Sequence, residues 1–197
     1  MRYRRVFIPG GSFFFTLVTE NRRPLLASAE AVDVLRQAFR SVKAARPFAL
    51  DAIVVLPDHL HCIWTLPQYD ADFATRWRLI KTWFTKHCDP ALRSGPGQSL
   101  DVALRQKAPN ATYTLKPSRA ARKEQAIWQR RYWEHALRDE TDLARHVDYI
   151  HFNPVKHGHV SAAMEWPYSS FRRYVAEGLY SMDWGRGAMD FDGVGNE

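Results

Sequence analysis

Two strand-like runs, residues 48–56 and 59–66, are separated only by Pro57-Asp58. So short a link joins antiparallel neighbours, because a parallel crossover needs a dozen or more residues. A chain carrying it must build at least part of an antiparallel sheet. The second run opens His59-Leu60-His61. Residues two apart on a strand point to the same face, so both imidazoles stand side by side just past the turn. Neutral imidazole is a ligand for Mg²⁺-, Mn²⁺- and Zn²⁺-type ions and suits the softer ones better. Two ligands alone make a weak site, so a third group and a substrate oxygen are needed. The plain alternative is two strand histidines at the edge of a hairpin, since His-X-His is common by chance. Neither Cys62 nor Cys88 has a second ligand pair at zinc-finger spacing, which removes that class.

The remaining elements follow from periodicity. Residues 12–19 are rich in Phe, Thr and Val after a Gly-Gly turn, and read as a strand. Ser28 suits the cap of a helix from Ala29 to Ala45, with Val32, Leu35, Phe39 and Val42 as its apolar stripe. Residues 72–87 give a second helix with Phe73, Trp77, Ile80 and Phe84 inward and Arg76, Lys81 and Lys86 away from that stripe. Residues 89–118, rich in Pro, Gly, Ser and Gln, are expected to be loops, too long for an ordinary connection. A short helix is expected at 120–129 and a strand at 132–137. Asp139-Glu140-Thr141-Asp142 has capping chemistry for a helix ending near Asn153, before Pro154. Residues 166–174 form a compact aromatic segment, and the Gly-rich, acidic residues 178–197 a loose tail. Strands mixed with helices around a central hairpin indicate an α+β fold, a ferredoxin-like antiparallel sheet with helices packed on one face. Residues 1–177 then make a single domain, with a long basic loop at about 89–131.

On the helix near residue 150, Leu143, Val147, Ile150 and Pro154 recur at core spacing. His146, Tyr149 and Asn153 share a neighbouring face. Asn153 is thereby placed to complete a metal site beside a tyrosine hydroxyl. A helix tyrosine is more often a half-buried packing residue, and seven others exist (Tyr3, Tyr69, Tyr113, Tyr132, Tyr168, Tyr174 and Tyr180), so spacing alone does not select a nucleophile. The chemistry links tyrosine to metal. A free phenol has a pKa near ~10 and is rarely ionised at neutral pH. A divalent ion beside a scissile phosphate polarises the P–O bond and steadies developing charge. Attack by the phenol then releases a 3′-oxygen and leaves a 5′-phosphotyrosine that keeps the bond energy, so rejoining needs no ATP.

Charge favours a polyanionic partner. The 197 residues carry a formal net charge of +7, and the pI is about 9.6. Arg105, Lys107, Lys116, Arg119, Arg122, Lys123, Arg130 and Arg131 face the single acid Glu124 across their span, with Trp128, Tyr132 and Trp133 interleaved at its end. Cations track phosphates and flat rings stack unpaired bases. Lys156 and His157 follow the tyrosine helix, and Arg2, Arg4 and Arg5 form a basic arm. The bland reading of each is a solvated surface charge. No apolar run nears the roughly 18 residues of a membrane span, and the two cysteines without a CxxC partner fit a cytoplasmic, reduced protein. Nucleic acid therefore outranks a membrane surface.

Four segments together carry a resemblance. They are Pro57-Asp58-His59-Leu60-His61 with Trp64, then Ile127-Trp128-Gln129-Arg130-Arg131-Tyr132-Trp133-Glu134-His135, then Asp148-Tyr149-Ile150-His151-Phe152-Asn153-Pro154-Val155, and Trp166-Pro167-Tyr168-Ser169-Ser170-Phe171. In this order they resemble the REP-associated tyrosine transposases, single-tyrosine members of the HUH (His-hydrophobe-His) transposases. The resemblance implies Tyr149 as the catalytic nucleophile and His59, His61 and Asn153 as ligands of Mg²⁺ or Mn²⁺. Distant relatives carry a glutamine at the position of Asn153. It also implies a partner, single-stranded DNA bearing palindromic hairpins, and a monomer or a homodimer that exchanges its tyrosine helix.

The reading that follows is a metal-dependent single-strand DNA endonuclease and strand transferase. Arg4, Arg5, Lys116, Arg119, Arg122, Lys123, Arg130, Arg131, Lys156 and His157 would hold its DNA. A binding module that grips palindromic hairpins without cutting is the rival class, and a replication or plasmid-transfer nickase a weaker third. The tail acids Asp183, Asp190, Asp192 and Glu197 are expected to lie over the basic groove and compete with DNA.

Overall fold

The computed structural model describes residues 6–93, 127–187, 189, 191 and 193–195. The arm at Arg2, Arg4 and Arg5, the basic residues Lys116, Arg119, Arg122 and Lys123, and most of the expected helix at 120–129 lie outside the described residues. Of the expected loop at 89–118, the start is a one-turn helix, Pro90–Arg93.

Four strands, β1 (Ser12–Val18), β2 (Ala49–Val55), β3 (His59–Thr65) and β4 (Trp133–Ala136), form one antiparallel sheet in the order β2-β3-β1-β4. This is the ferredoxin-like antiparallel sheet expected from the sequence, but helices cover both of its faces rather than one, because the helix that follows β4 packs on the side opposite the first two long helices. β1 and β3 are central and covered on both faces, which explains why β1 reads as a nearly unbroken apolar run and why β3 is buried along almost its whole length. Their register sets Phe13 opposite Trp64, Phe15 opposite Cys62, Thr16 opposite His61 and Val18 opposite His59. Alternation then sorts the side chains. Phe13, Phe15, Leu17, Leu60, Cys62 and Trp64 face one side, and Phe14, Thr16, His59, His61 and Ile63 the other.

The first side is covered by α1 (Ala29–Ala45) and α2 (Phe73–His87), which pack against each other. Ser28 caps α1 by accepting from the Ala31 amide (3.2 Å), and Asp72 caps α2 by accepting from Thr75 (2.9 Å). Trp64 stacks on Trp77 at 4.2 Å between ring centroids, and Phe15, Phe39 and Phe73 close around the pair. Truncating a side chain as enclosed as Phe15 costs ~3–5 kcal/mol. Arg76 departs from the expectation that it lies away from this stripe, being 1% exposed. It stands three residues after Phe73 and so shares its face. Its guanidinium donates to the Asp70 carboxylate (2.7 and 3.1 Å) and to the carbonyls of Arg46, Pro47 and Asp72, which makes burial of the charge tolerable.

The opposite side is covered by α4 (Glu140–Lys156), the helix carrying Tyr149; the one-turn Pro90–Arg93 is α3. Asp139 caps α4 by accepting from the Asp142 amide (2.8 Å), and the Asp142 carboxylate accepts from the Arg138 amide (3.1 Å). The sequence suggested an end at Asn153, but the helix runs on through Pro154 to Lys156. Proline forfeits one hydrogen bond, to the carbonyl of residue i−4. In the last turn that single loss is offset by burial of the ring, and the His157 amide still closes on the Asn153 carbonyl (3.0 Å).

Residues 168–170 cover the open edge of β2. The Val55 amide donates to the Tyr168 carbonyl (2.9 Å), and Ile53 and Ser170 pair through main chain and hydroxyl. Just beyond, Phe171–Ala176 forms α5. His151 of α4 is fully buried against this segment, its Nε2 on Ser170 Oγ (2.8 Å), and burial pushes its pKa down to about 3. Among the described residues no helix is long and apolar enough to cross a membrane.

Candidate active site

The Pro57-Asp58 turn is anchored from outside the hairpin. Thr19, just past β1, donates both its amide (2.8 Å) and its hydroxyl (2.9 Å) to the Asp58 carbonyl. β3 therefore starts from a fixed point, and His59 and His61 project from it toward α4. Both are buried, at 1% and 0% exposure.

Each ring is steered through Nδ1. His59 Nδ1 donates to Asp58 Oδ1 (2.6 Å), and His61 Nδ1 is 2.9 Å from Thr16 Oγ1. Burial alone would raise the Asp58 carboxyl. The hydrogen bond and charge of His59, with Arg22 at 3.2 Å, outweigh it and hold the group below its ordinary value. With Nδ1 committed, Nε2 is the nitrogen of each ring that could ligate an ion. His59 Nε2 is buried and makes no hydrogen bond among the described residues. A divalent ion satisfies such an atom, and orientation through Nδ1 is the usual outer-shell support of a metal-binding histidine. These residues fit a metal.

α4 supplies the facing groups. Tyr149 is 1% exposed, its ring 5.3 Å from that of His61, and Phe14 packs against both. One turn on, Asn153 is fully buried, and one turn further the His157 ring lies 5.2 Å from that of His59. Asn153 thus sits midway, on one helix face, between two residues that touch the histidine pair. The Lys156 ammonium donates to Tyr149 Oη (3.1 Å) and lies 4.8 Å above the tyrosine ring. The fold brings together His59, His61, Tyr149, Asn153, Lys156 and His157. Arg130 and Arg131 are exposed at the entry to β4.

The tail is less loose than its composition suggested. Phe191 packs on Tyr149 (5.7 Å) and Phe152 (5.5 Å), and Val194 is buried. The Gly195 backbone lies on the tyrosine, where a Cβ would overlap the ring and its hydroxyl, and its φ is +75°. Only glycine fits there. Asp183 is exposed, while Asp190, Asp192 and Glu197 lie outside the described residues.

A second group of ligating side chains was not singled out from the sequence. His135 of β4 and Asp142 and His146 of α4 offer ligand atoms within 4.8 Å of one another and could hold a metal ion. Burial favours a raised Asp142 pKa, but hydrogen bonds from His135 and Arg138 override it and hold the carboxyl well below the usual range. Burial pushes the His146 imidazole down, partly opposed by its bond to the Asp142 carbonyl. The Asp-x-x-x-His spacing on a helix, with a histidine on the preceding strand, is the signal that could have revealed this group.

No family model matches the chain. A curated protein of Escherichia coli strain K12, named REP-associated tyrosine transposase, is 43% identical, the match covering 96% of this chain and 93% of that protein. A Haemophilus influenzae protein bearing the same family name is 38% identical over 93% of this chain and 92% of its own length. A solved structure described as a REP-associated tyrosine transposase bound to a REP hairpin superposes with a TM-score of 0.73 at 40% identity, covering 100% of this chain and 98% of that one.

Proposed function

The chain belongs to the REP-associated tyrosine transposases, and from that premise we propose that it cuts and rejoins single-stranded DNA beside palindromic hairpins, with Tyr149 as nucleophile. The observation carrying this reading is the Tyr149 ring set against His61, while both histidines are oriented through Nδ1. His59, His61 and Asn153 would hold Mg²⁺ or Mn²⁺. When bound, such an ion supplies Lewis-acid polarisation of a phosphate oxygen.

The chain's own residues do the rest. Lys156 fixes the direction of the Tyr149 hydroxyl and places positive charge beside the oxygen that attacks. The phenol oxygen bonds to phosphorus, the P–O3′ bond breaks, and the 3′-oxygen leaves with a proton. A 5′-phosphotyrosine and a free 3′-hydroxyl result. Attack by another 3′-hydroxyl reverses the step. Arg130, Arg131, Lys156 and His157 would hold the strand, together with Arg4, Arg5, Lys116, Arg119, Arg122 and Lys123.

Incubation with a hairpin-bearing oligonucleotide and Mn²⁺ tests the reading. The intact chain should form a covalent protein–DNA adduct. Tyr149→Phe should bind the same oligonucleotide and form none, whereas equal adduct from the variant would move the nucleophile elsewhere. A binding module that holds hairpins without cutting is favoured by one observation, the tail backbone covering Tyr149. That alternative predicts affinity unchanged by EDTA and no adduct with any ion.

A further inference from the structure

We propose that His135, Asp142 and His146 form a second divalent-metal site, separate from the histidine pair of β3, which joins the edge strand β4 to the first turns of the tyrosine helix. The three residues span twelve positions of the chain and meet because the β4–α4 connection is short. Asp142 and His146, four apart, share one face of α4. His135 stands opposite Phe14 in the β4–β1 register and points to the same side of the sheet.

The donor geometry is that of a small chelate. His135 Nε2 is 2.8 Å from Asp142 Oδ2, and His146 Nδ1 is 3.1 Å from Asp142 Oδ1 and 2.8 Å from the Asp142 carbonyl oxygen, a hydrogen bond that an entering ion would replace. The two rings are nearly parallel, 15° apart with centroids 4.8 Å from each other. All three ligand atoms fall within 4.8 Å. Metal–ligand bonds of ~2.0–2.2 Å let two ligands of one ion lie up to ~4 Å apart, so small side-chain movements close the set on an ion. Trp133 stacks on His135 and Phe14 packs on His146, which fixes both rings. Asp142 and His146 are 7% and 3% exposed, and His135 is only partly buried, leaving an entry path.

Two imidazoles and a carboxylate form the donor set of Zn²⁺- and Co²⁺-type ions. The neutral amide in the set proposed around His59 makes that site less charged. The competing charge is Arg138, whose Nε reaches Asp142 Oδ2 at 3.1 Å. Its side chain is 75% exposed and can move aside when an ion enters. Phe14 stands between the sites, touching His61 on one side and His146 on the other, so an ion in one does not share ligands with the other. The inference does not depend on Tyr149 being a nucleophile.

The test is a stoichiometry. Untagged full-length chain, stripped with EDTA and dialysed, is titrated with Co²⁺ and followed by visible absorption and by equilibrium dialysis. His135→Ala should bind one equivalent fewer than wild type, and His59→Ala/His61→Ala should keep the equivalent that His135→Ala loses. Identical stoichiometry and spectrum in wild type and His135→Ala would overturn the proposal. So would a His59→Ala/His61→Ala protein that folds and binds no ion. Asp142→Asn also removes cap interactions, so the decision rests on His135→Ala, at a half-buried position of an edge strand, with its fold checked by far-UV circular dichroism.

Discussion

At the residue scale, the behaviour of the histidine pair is set by groups one shell out. Asp58 and Thr16 hold Nδ1 of His59 and His61, which leaves Nε2 as the nitrogen the proposed ion would take. Removing such support typically costs 10–100-fold in metal affinity, so Asp58→Asn or Thr16→Val should raise the Mn²⁺ concentration for half-maximal adduct formation by ~10–100-fold. Unchanged Mn²⁺ dependence would show that the rings are held by packing alone. His151 makes a different prediction. Its folded pKa, about 3, lies below the ordinary imidazole value because burial disfavours the charged form. The unfolded chain therefore binds a proton that the native chain refuses, and stability falls as pH drops from ~6.5 toward ~3. The slope from this group is about 1.4 kcal/mol per pH unit. Urea midpoints measured between pH 7 and pH 5 should fall in wild type and flatten in His151→Gln.

At the scale of elements, α4 does more than the sequence alone disclosed. Its face at 146, 149 and 153 was readable from helical spacing, because period is a property of the helix itself. Its continuation through Pro154 was not, because proline's cost depends on whether the lost bond lies in the interior or in the final turn. That continuation matters, since it brings Lys156 back over Tyr149 two turns away. Arg76 was misjudged for a similar reason: residue type argued for solvent, while partners from the α1–β2 link, distant in sequence, made burial possible. The hairpin, β1, α1 and α2 were legible because turn chemistry, capping and periodicity agreed there. The tail was not, since glycine-rich composition does not announce a backbone that rests on a tyrosine. Gly195→Ala should displace that backbone, and truncation after Tyr180 should remove it. Both should raise the rate of adduct formation, read by gel-shift of denatured protein. A rate unchanged in both would show that the tail leaves the nucleophile accessible.

At the scale of the molecule, a ferredoxin-like sheet separates two tasks. The aromatic side under α1 and α2 holds the fold, and the other side presents the imidazoles of β3 to the phenol and amide of α4. The net charge of +7 bears on the partner. If Arg130 and Arg131 contact phosphates, replacing both with Ala should weaken hairpin binding at low salt. It should also reduce the magnitude of the slope of log affinity against log salt by ~1.4–1.8. An unaltered slope would assign them to the solvated surface.

The most direct measurement is the address of the covalent bond. Tryptic cleavage after Arg145 and Lys156 releases residues 146–156, in which Tyr149 is the single tyrosine. After reaction with a hairpin oligonucleotide and Mn²⁺, mass spectrometry should find a 5′-linked nucleotide on that peptide, and none when His59 or His61 is replaced by Ala. A nucleotide on a peptide containing Tyr132, Tyr168, Tyr174 or Tyr180 instead, or undiminished modification without the histidine pair, would contradict the account.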